Sequence, residues 1–148
     1  MAELYTGRRS FPHLFFARDG EIYDLAGNKT LVIGGAYSID KEYRLAYGYW
    51  WFPDEQPSEE IKQRVERKLD EMGWKTDIVL SHTCPLKYQP AEMFLSGLDQ
   101  SRVDRTTEMW LDGIEDRLNY RKWYCGHYHV DKRMDKMEFM FQGIRLLG

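Results

Sequence analysis

The sequence has no excess of basic residues. Its 148 residues carry 21 Lys and Arg against 24 Asp and Glu, a formal charge of -3, so nucleic-acid binding through phosphate neutralisation has no support. No run approaches the ~18 apolar residues of a membrane span. The opening MAELYTGRRSFPHLFF lacks the long apolar core and small-residue cleavage site of a signal peptide. Cysteine is scarce, with only Cys84 and Cys125 and no CxxC pair. Two thiols in apolar, strand-like surroundings are expected to be reduced and buried in a cytoplasmic protein. Internal repeats, low-complexity tracts and linkers are missing too, so residues 1–148 read as one unit of common single-domain size.

What is present is aromatic and apolar. Aromatic residues make up 15% and hydrophobic residues 43%, which suits a well-filled core or an aromatic-lined cleft. Two β-rich runs, Glu21 to Leu25 and Lys29 to Ile33, flank a turn centred on Gly27 and Asn28, residues that tolerate a left-handed backbone. The following segment, Ala36 to Gln56, has no clean period and reads as a long loop rich in Tyr and Trp. Ser58 then opens a helix, with Glu59 and Glu60 at the positive end of its dipole. Ile61, Val65, Leu69 and Met72 form its apolar stripe, and Gly73 stops it.

A short buried strand is expected from Asp77 to Leu80, and a second helix from about Thr107 to Leu118, buried through Trp110, Leu111, Ile114 and Leu118. A strand from Lys122 to Cys125 follows, and EFMFQGIRLLG closes the chain as a last strand. Two strand–helix alternations predict a layered α/β arrangement, in which ligands gather beyond the carboxyl ends of the strands.

Three of the four histidines occupy equivalent places. His82 follows DIVLS, and His127 and His129 follow KWYC and Gly126. If the two strands are neighbours ending at one sheet edge, all three imidazoles meet, and neutral imidazole is a common ligand for borderline divalent metals. In an extended segment residues i and i+2 point the same way, which would align His127 with His129. A lone strand-end histidine is more often a plain surface residue, but three in matched positions make a metal site an equal reading. His13, in SFPHLFF, is expected to sit in an apolar strand with a structural role.

DIVLSHTCP with WYCGHYHVDK, together with LVIGGAYSIDKEYR, resembles the C-terminal half of a calcineurin-like metallophosphoesterase. The likeness runs from about Phe15 to Arg145. It implies a partial domain of an αββα sandwich, with mixed β-sheet layers and flanking helices, that holds two divalent ions about a shared aspartate. His82 and His127 would bind one ion and His129 the other; Mn, Fe, Zn and Ni all suit such ligands. The activity implied is hydrolysis of a phosphoester. The loop GGAYSIDK borders the active site in the family, so Tyr37, Asp40 and Lys41 would face substrate.

The family also uses an upstream Asp-x-His, a Gly-Asp with the bridging carboxylate, and a Gly-Asn-His. None occurs here: AGNKT has the Gly-Asn without the histidine. The sequence therefore reads as starting where the family's first half has ended. Asp40, Asp104 and Asp131 could substitute as carboxylates but read better as solvated or turn residues. The competing expectation is an inactive truncated or split module that holds a metal weakly and assembles with itself or with a partner chain supplying the first half. The paired glycines could cradle phosphate, but without a Gly-Lys-Ser/Thr they read as a strand ending in a bend. Ser81, His82 and Cys84 make a poor nucleophile–base set, since sequence neighbours rarely face each other across a turn.

Overall fold

The computed structural model describes residues 1–2, 5–6, 13–94, 97 and 99–147, with only the backbone of 5 and 6. Eight strands occur among them: β1 (Tyr5–Thr6), β2 (Phe15–Phe16), β3 (Glu21–Leu25), β4 (Asn28–Ile33), β5 (Ile78–Ser81), β6 (Lys122–Cys125), β7 (Lys132–Met134) and β8 (Met137–Phe139). Three α-helices join them, α1 (Lys41–Ala46), α2 (Glu59–Glu71) and α3 (Thr106–Glu115), with three single 3-10 turns between β5 and α3. β1 and β2 pair by themselves. The other six strands form one mixed sheet in the order β3-β4-β5-β6-β8-β7. Its centre, β4 to β8, is parallel, and β3 and β7 close the edges antiparallel.

Local sequence explains the elements. The β3–β4 hairpin turns at Ala26 and Gly27, both at positive φ (54° and 80°), one residue earlier than Gly27–Asn28. Asp24 Oδ1 accepts from Gly27 N at 2.8 Å, and this bond tightens the turn around Ala26 and frees Asn28 to start β4. Ser58 caps α2 by accepting from Ile61 N, as an N-cap serine does, and Gly73 follows the helix end at φ 62°. The long loop from Ala36 holds a short exposed helix, α1, whose side chains bury nothing in the core. Sequence periodicity missed it because six residues give no second turn of an apolar stripe. β7 was also missed: KRM carries no apolar pattern, and it is ordered by pairing with β8 across the turn at Asp135 and Lys136.

One face of the sheet carries the core. Leu31, Val79 and Trp123 lie side by side on it, followed by Ile33, Cys125 and Phe139. Val65 and Leu69 of α2 and Leu111 and Ile114 of α3 pack in the same cluster, all close to full burial. Cys84 and Cys125 are both buried and free; Cys125 Sγ lies 3.7 Å from Met137 Sδ. On the opposite face Thr30 and Ile78 are buried, while Val32, Leu80 and Tyr124 form a half-buried row across three strands. Among the described residues no helix is long and apolar enough to cross a membrane.

His13 departs from expectation. It is an exposed turn residue ahead of β2, and residues 10–12 of its segment lie outside the described residues. Trp50, in the aromatic loop from Ala36, is 74% exposed and does not plug the core.

Leu69 makes a direct stability test, because it is fully buried between α2 and the sheet. Leu69→Ala is expected to cost about 2–5 kcal/mol through lost burial and the cavity left behind. Met109→Ala, on the exposed side of α3, should stay within about 0.5 kcal/mol of the parent. Urea unfolding of both variants measures the contrast, and equal losses would show that α2 is not docked as described.

Candidate metal and ligand site

β5 and β6 run parallel with Ser81 opposite Cys125, so both strands release their chains at the same edge. His82 follows β5 directly, its backbone N–H bonding Ile33 O at 3.0 Å. Its carbonyl accepts from Gly126 N at 2.9 Å, which ties the two strand ends together. The imidazoles then meet: His127 Nδ1 lies 3.2 Å from His82 Nε2, with the rings edge-on at 5.0 Å between centroids. His129 stacks on Phe141 at 5.0 Å and lies close enough to act electrostatically on both other imidazoles.

The alignment is not produced by an extended strand. His127 and His129 both have left-handed backbone, φ 68° and 51°, in a turn beyond β6. Such a conformation costs a non-glycine residue on the order of 1–3 kcal/mol and collects at functional sites. Two left-handed residues flanking Tyr128 reverse the chain twice, which brings both rings to the same cavity. Gly126 is not the residue that bends; its neighbours are.

Burial sets the protonation. Loss of water around His127, together with repulsion from the neighbouring His82 and His129, lowers its pKa to about 4. His82 is exposed as a whole residue, yet desolvation of its ring also lowers its pKa, against a rise from Glu55 and with a further lowering from His129. Both rings are therefore neutral at neutral pH and keep a lone pair for a ligand or proton. Two nitrogens bound to one tetrahedral zinc at 2.0–2.1 Å stand about 3.3 Å apart, close to the 3.2 Å found here. The pair therefore fits a shared ion, and it fits a direct hydrogen bond equally.

The carboxylates do not complete a ligand set. Among the described residues no group of three His, Cys, Asp or Glu side chains is already arranged around one metal position. Asp40 is taken by Arg44 at 2.6 Å and by the Ser38 hydroxyl. Asp131 accepts from the backbone of Phe141, Gln142 and Gly143. Asp104 caps Thr106 N at 2.9 Å, but lines the histidine cavity.

That cavity has a volume of about 610 Å³. Tyr37 and Ser38 line it alongside the three histidines. Lys41 Nζ lies over the rings of Tyr37 and Trp51, at 5.7 and 5.4 Å. Gly34 donates to Asp19, and Gly35 at φ 83° brings Ala36 N onto Glu55 O at 2.9 Å. Those amides hold the bend together and do not point to a phosphate. Ser81 Oγ accepts from Trp123 Nε1 at 2.7 Å and donates to Thr83 O, so no nucleophile is set up there.

Sequence reasoning missed a buried polar group in the same cavity. Glu108 of α3 is 3% exposed; Thr83 Oγ1 donates to its Oε1 at 2.9 Å and lies 3.1 Å from the Tyr128 hydroxyl, which accepts from Gln89. The signal was present: Glu108 is one turn before Leu111 on the helix face that otherwise reads Thr107, Leu111, Ile114 and Leu118. No protein-family model, curated protein or solved structure matches this chain.

The depressed histidine pKa values predict a pH dependence. The folded protein keeps His127 neutral down to about pH 4, while the unfolded chain takes up that proton near 6.5. Stability is therefore present above pH 6.5 and falls as pH drops toward 4, with His82 acting in the same direction. In EDTA-treated protein the melting temperature should fall across that window, less steeply in His127→Gln. A nuclear magnetic resonance titration placing His127 near 6.5 would show its ring to be open to water.

Proposed function

We propose that this chain is the C-terminal part of a calcineurin-like metallophosphoesterase and acts in divalent-metal-dependent hydrolysis of a phosphoester. The observation that carries this reading is the convergence of His82, His127 and His129 beyond the carboxyl ends of two adjacent parallel strands, in one cavity. His82 and His127 would hold one ion and His129 a second; Mn, Fe, Zn and Ni all accept imidazole. A bound ion supplies Lewis acidity toward a phosphoryl oxygen and lowers the pKa of its water. The residues present would hold and orient: neutral imidazoles bind, the β5–β6 register fixes their spacing, and Tyr37 lines the cavity, with Asp40 and Lys41 further along the same segment.

The ligand set is incomplete, because three imidazoles bring no negative charge to offset two divalent cations. The chain alone should therefore bind a transition ion well below the affinity of a full dinuclear site, and more weakly as pH falls below about 6.5, where protons compete. It should turn over bis-p-nitrophenyl phosphate poorly or not at all with manganese added. A calorimetric titration indistinguishable between the parent and a His127→Ala/His129→Ala variant would remove the metal reading. Strong turnover abolished by His82→Ala would instead show that the site is complete.

A second reading follows from the half-buried row of Val32, Leu80 and Tyr124: an inactive split module that assembles with itself or with a partner supplying the first half. Apolar area gains roughly 25 cal/mol per Å² when covered, so a few hundred Å² drives association by several kcal/mol. Sedimentation at low micromolar concentration should give a homodimer or larger species. A monomer that melts cooperatively would mean that the chain closes its own core.

A further inference from the structure

His127 and His129 hold a left-handed backbone on either side of Tyr128. The local backbone bond, Tyr128 N to Gly126 O at 2.8 Å, spans two residues and does not fix this turn against β5. Two strained residues persist only when their surroundings over-determine them. The Tyr128 side chain, between them, ties the turn to the rest of the protein. Its ring packs edge-on to Phe139 at 5.9 Å and nearly parallel to Phe94 at 6.3 Å. Its hydroxyl lies 3.1 Å from Thr83 Oγ1, and Thr83 is the fully buried residue directly after His82. Side chains thus join the two histidine-bearing segments, as the Gly126 N to His82 O bond joins them through the backbone.

The hydrogen bonds of this contact can be ordered. A threonine hydroxyl has one proton to give, and Thr83 gives it to Glu108 Oε1 at 2.9 Å. Toward Tyr128 it can then only accept, so the Tyr128 O–H donates to Thr83 Oγ1. The Tyr128 oxygen in turn accepts from Gln89 Nε2 at 3.0 Å. A chain therefore runs from Gln89 through Tyr128 and Thr83 to Glu108, with every proton pointing the same way. It ends on a carboxylate, and an ionised acceptor strengthens the bond it receives. Bonds in such a chain also polarise one another. Thr83 and Glu108 are both buried, so water competes little for the last link.

We propose that Thr83, Tyr128 and Glu108 are positioning residues of the histidine site, and that their hydrogen-bond chain holds the His127–His129 turn against His82 before any ligand arrives. The inference rests on the three histidines forming the site, not on which ion or ester they take. Partners of metal-binding imidazoles usually act on the second ring nitrogen. Here the chain acts one residue away, on the backbone that carries each ring. The hydroxyl of Thr83 is what matters, not its bulk. Removing it, or that of Tyr128, releases the turn from its left-handed conformation and lets the rings part, while α2 and α3 stay packed on the sheet.

The test is nuclear magnetic resonance of the EDTA-treated chain at neutral pH. The parent should show a cross-relaxation contact between the His82 and His127 rings, whose centroids lie 5.0 Å apart. Its Thr83 and Tyr128 hydroxyl protons should exchange slowly with water. Thr83→Val and Tyr128→Phe should lose the ring contact while the core resonances of Val65, Leu69 and Leu111 stay in place. Thr83→Ser, which keeps the hydroxyl, should retain it. In a manganese titration, Thr83→Val and Tyr128→Phe should bind about tenfold more weakly or worse, as when outer partners of metal-binding histidines are removed. A ring contact unchanged in both variants would overturn the proposal even where stability falls. So would a Thr83→Ser variant that behaves like Thr83→Val. If a variant fails to fold, the parent decides, because hydroxyl protons in rapid exchange with water would overturn the chain by themselves. The metal reading fails separately: a parent that binds no manganese still shows the ring contact and its loss in the variants, whereas manganese binding with an unmoved ring contact rejects the positioning role alone.

Discussion

The parallel pairing of β5 with β6, in the register that sets Ser81 against Cys125, is the constraint on which the rest depends. It brings two segments 44 residues apart to a common edge and fixes where each leaves the sheet. Both crossovers, through α2 and through α3, must then lie over the same core face, and Val65, Leu69, Leu111 and Ile114 fill it together. A slip of one residue would send Trp123 and Cys125 to the opposite face and carry His127 away from His82. The core and the site are thus two readings of one register. That is why the Gly126 N to His82 O bond, a small contact, matters: it joins the strand ends at the point where packing stops and chemistry begins.

The electrostatics of the site follow from its place at that edge. The rings leave the sheet into a cavity walled by α3 and by the loop from Ala36, so water is partly excluded and the charged forms of His82 and His127 are disfavoured. Desolvation and mutual repulsion act together here, and both keep the lone pairs available. Burial acts in the opposite sense on a carboxyl: Glu108, removed from water, has its pKa raised, with the Thr83 hydrogen bond and Arg105 pulling it down. The cavity therefore holds the neutral His82 and His127 together with the buried Glu108, and Asp104 lines it as well. Asp40, Asp104 and Asp131 are already committed to Arg44 and to backbone turns.

Much of this was legible in the sequence because it lies in short-range patterns. The stripe of α2, the stop at Gly73 and the alternation of IVLS and KWYC each record a local periodicity, and the matching histidines record where two strands end. What was not legible has a common physical cause. The left-handed turns at His127 and His129 are imposed by the chain on either side, since neither residue favours positive φ, and i, i+2 reasoning assumed a strand that stops at Cys125. α1 and β7 are too short to carry a period and exist through their neighbours. The buried acid at the start of α3 was hidden by its own helix, where Glu108 reads as a favourable first-turn acid.

That last point separates two uses of one residue type. Glu59 and Glu60 are first-turn acids in α2 that face water, as does the chain around them. Glu108 has the same favourable relation to its helix dipole, but its side chain turns inward, onto Thr83 directly after His82. Dipole stabilisation alone would be obtained equally well on the exposed side, where Met109 sits at 60% exposure. Placing a carboxyl inside instead, with one oxygen unpaired among the described residues, costs stability. The same sheet edge that gathers the imidazoles therefore also lies against a buried acceptor, Glu108 Oε2, and one turn before it a buried donor, Arg105 Nε, neither with a hydrogen-bond partner among the described residues.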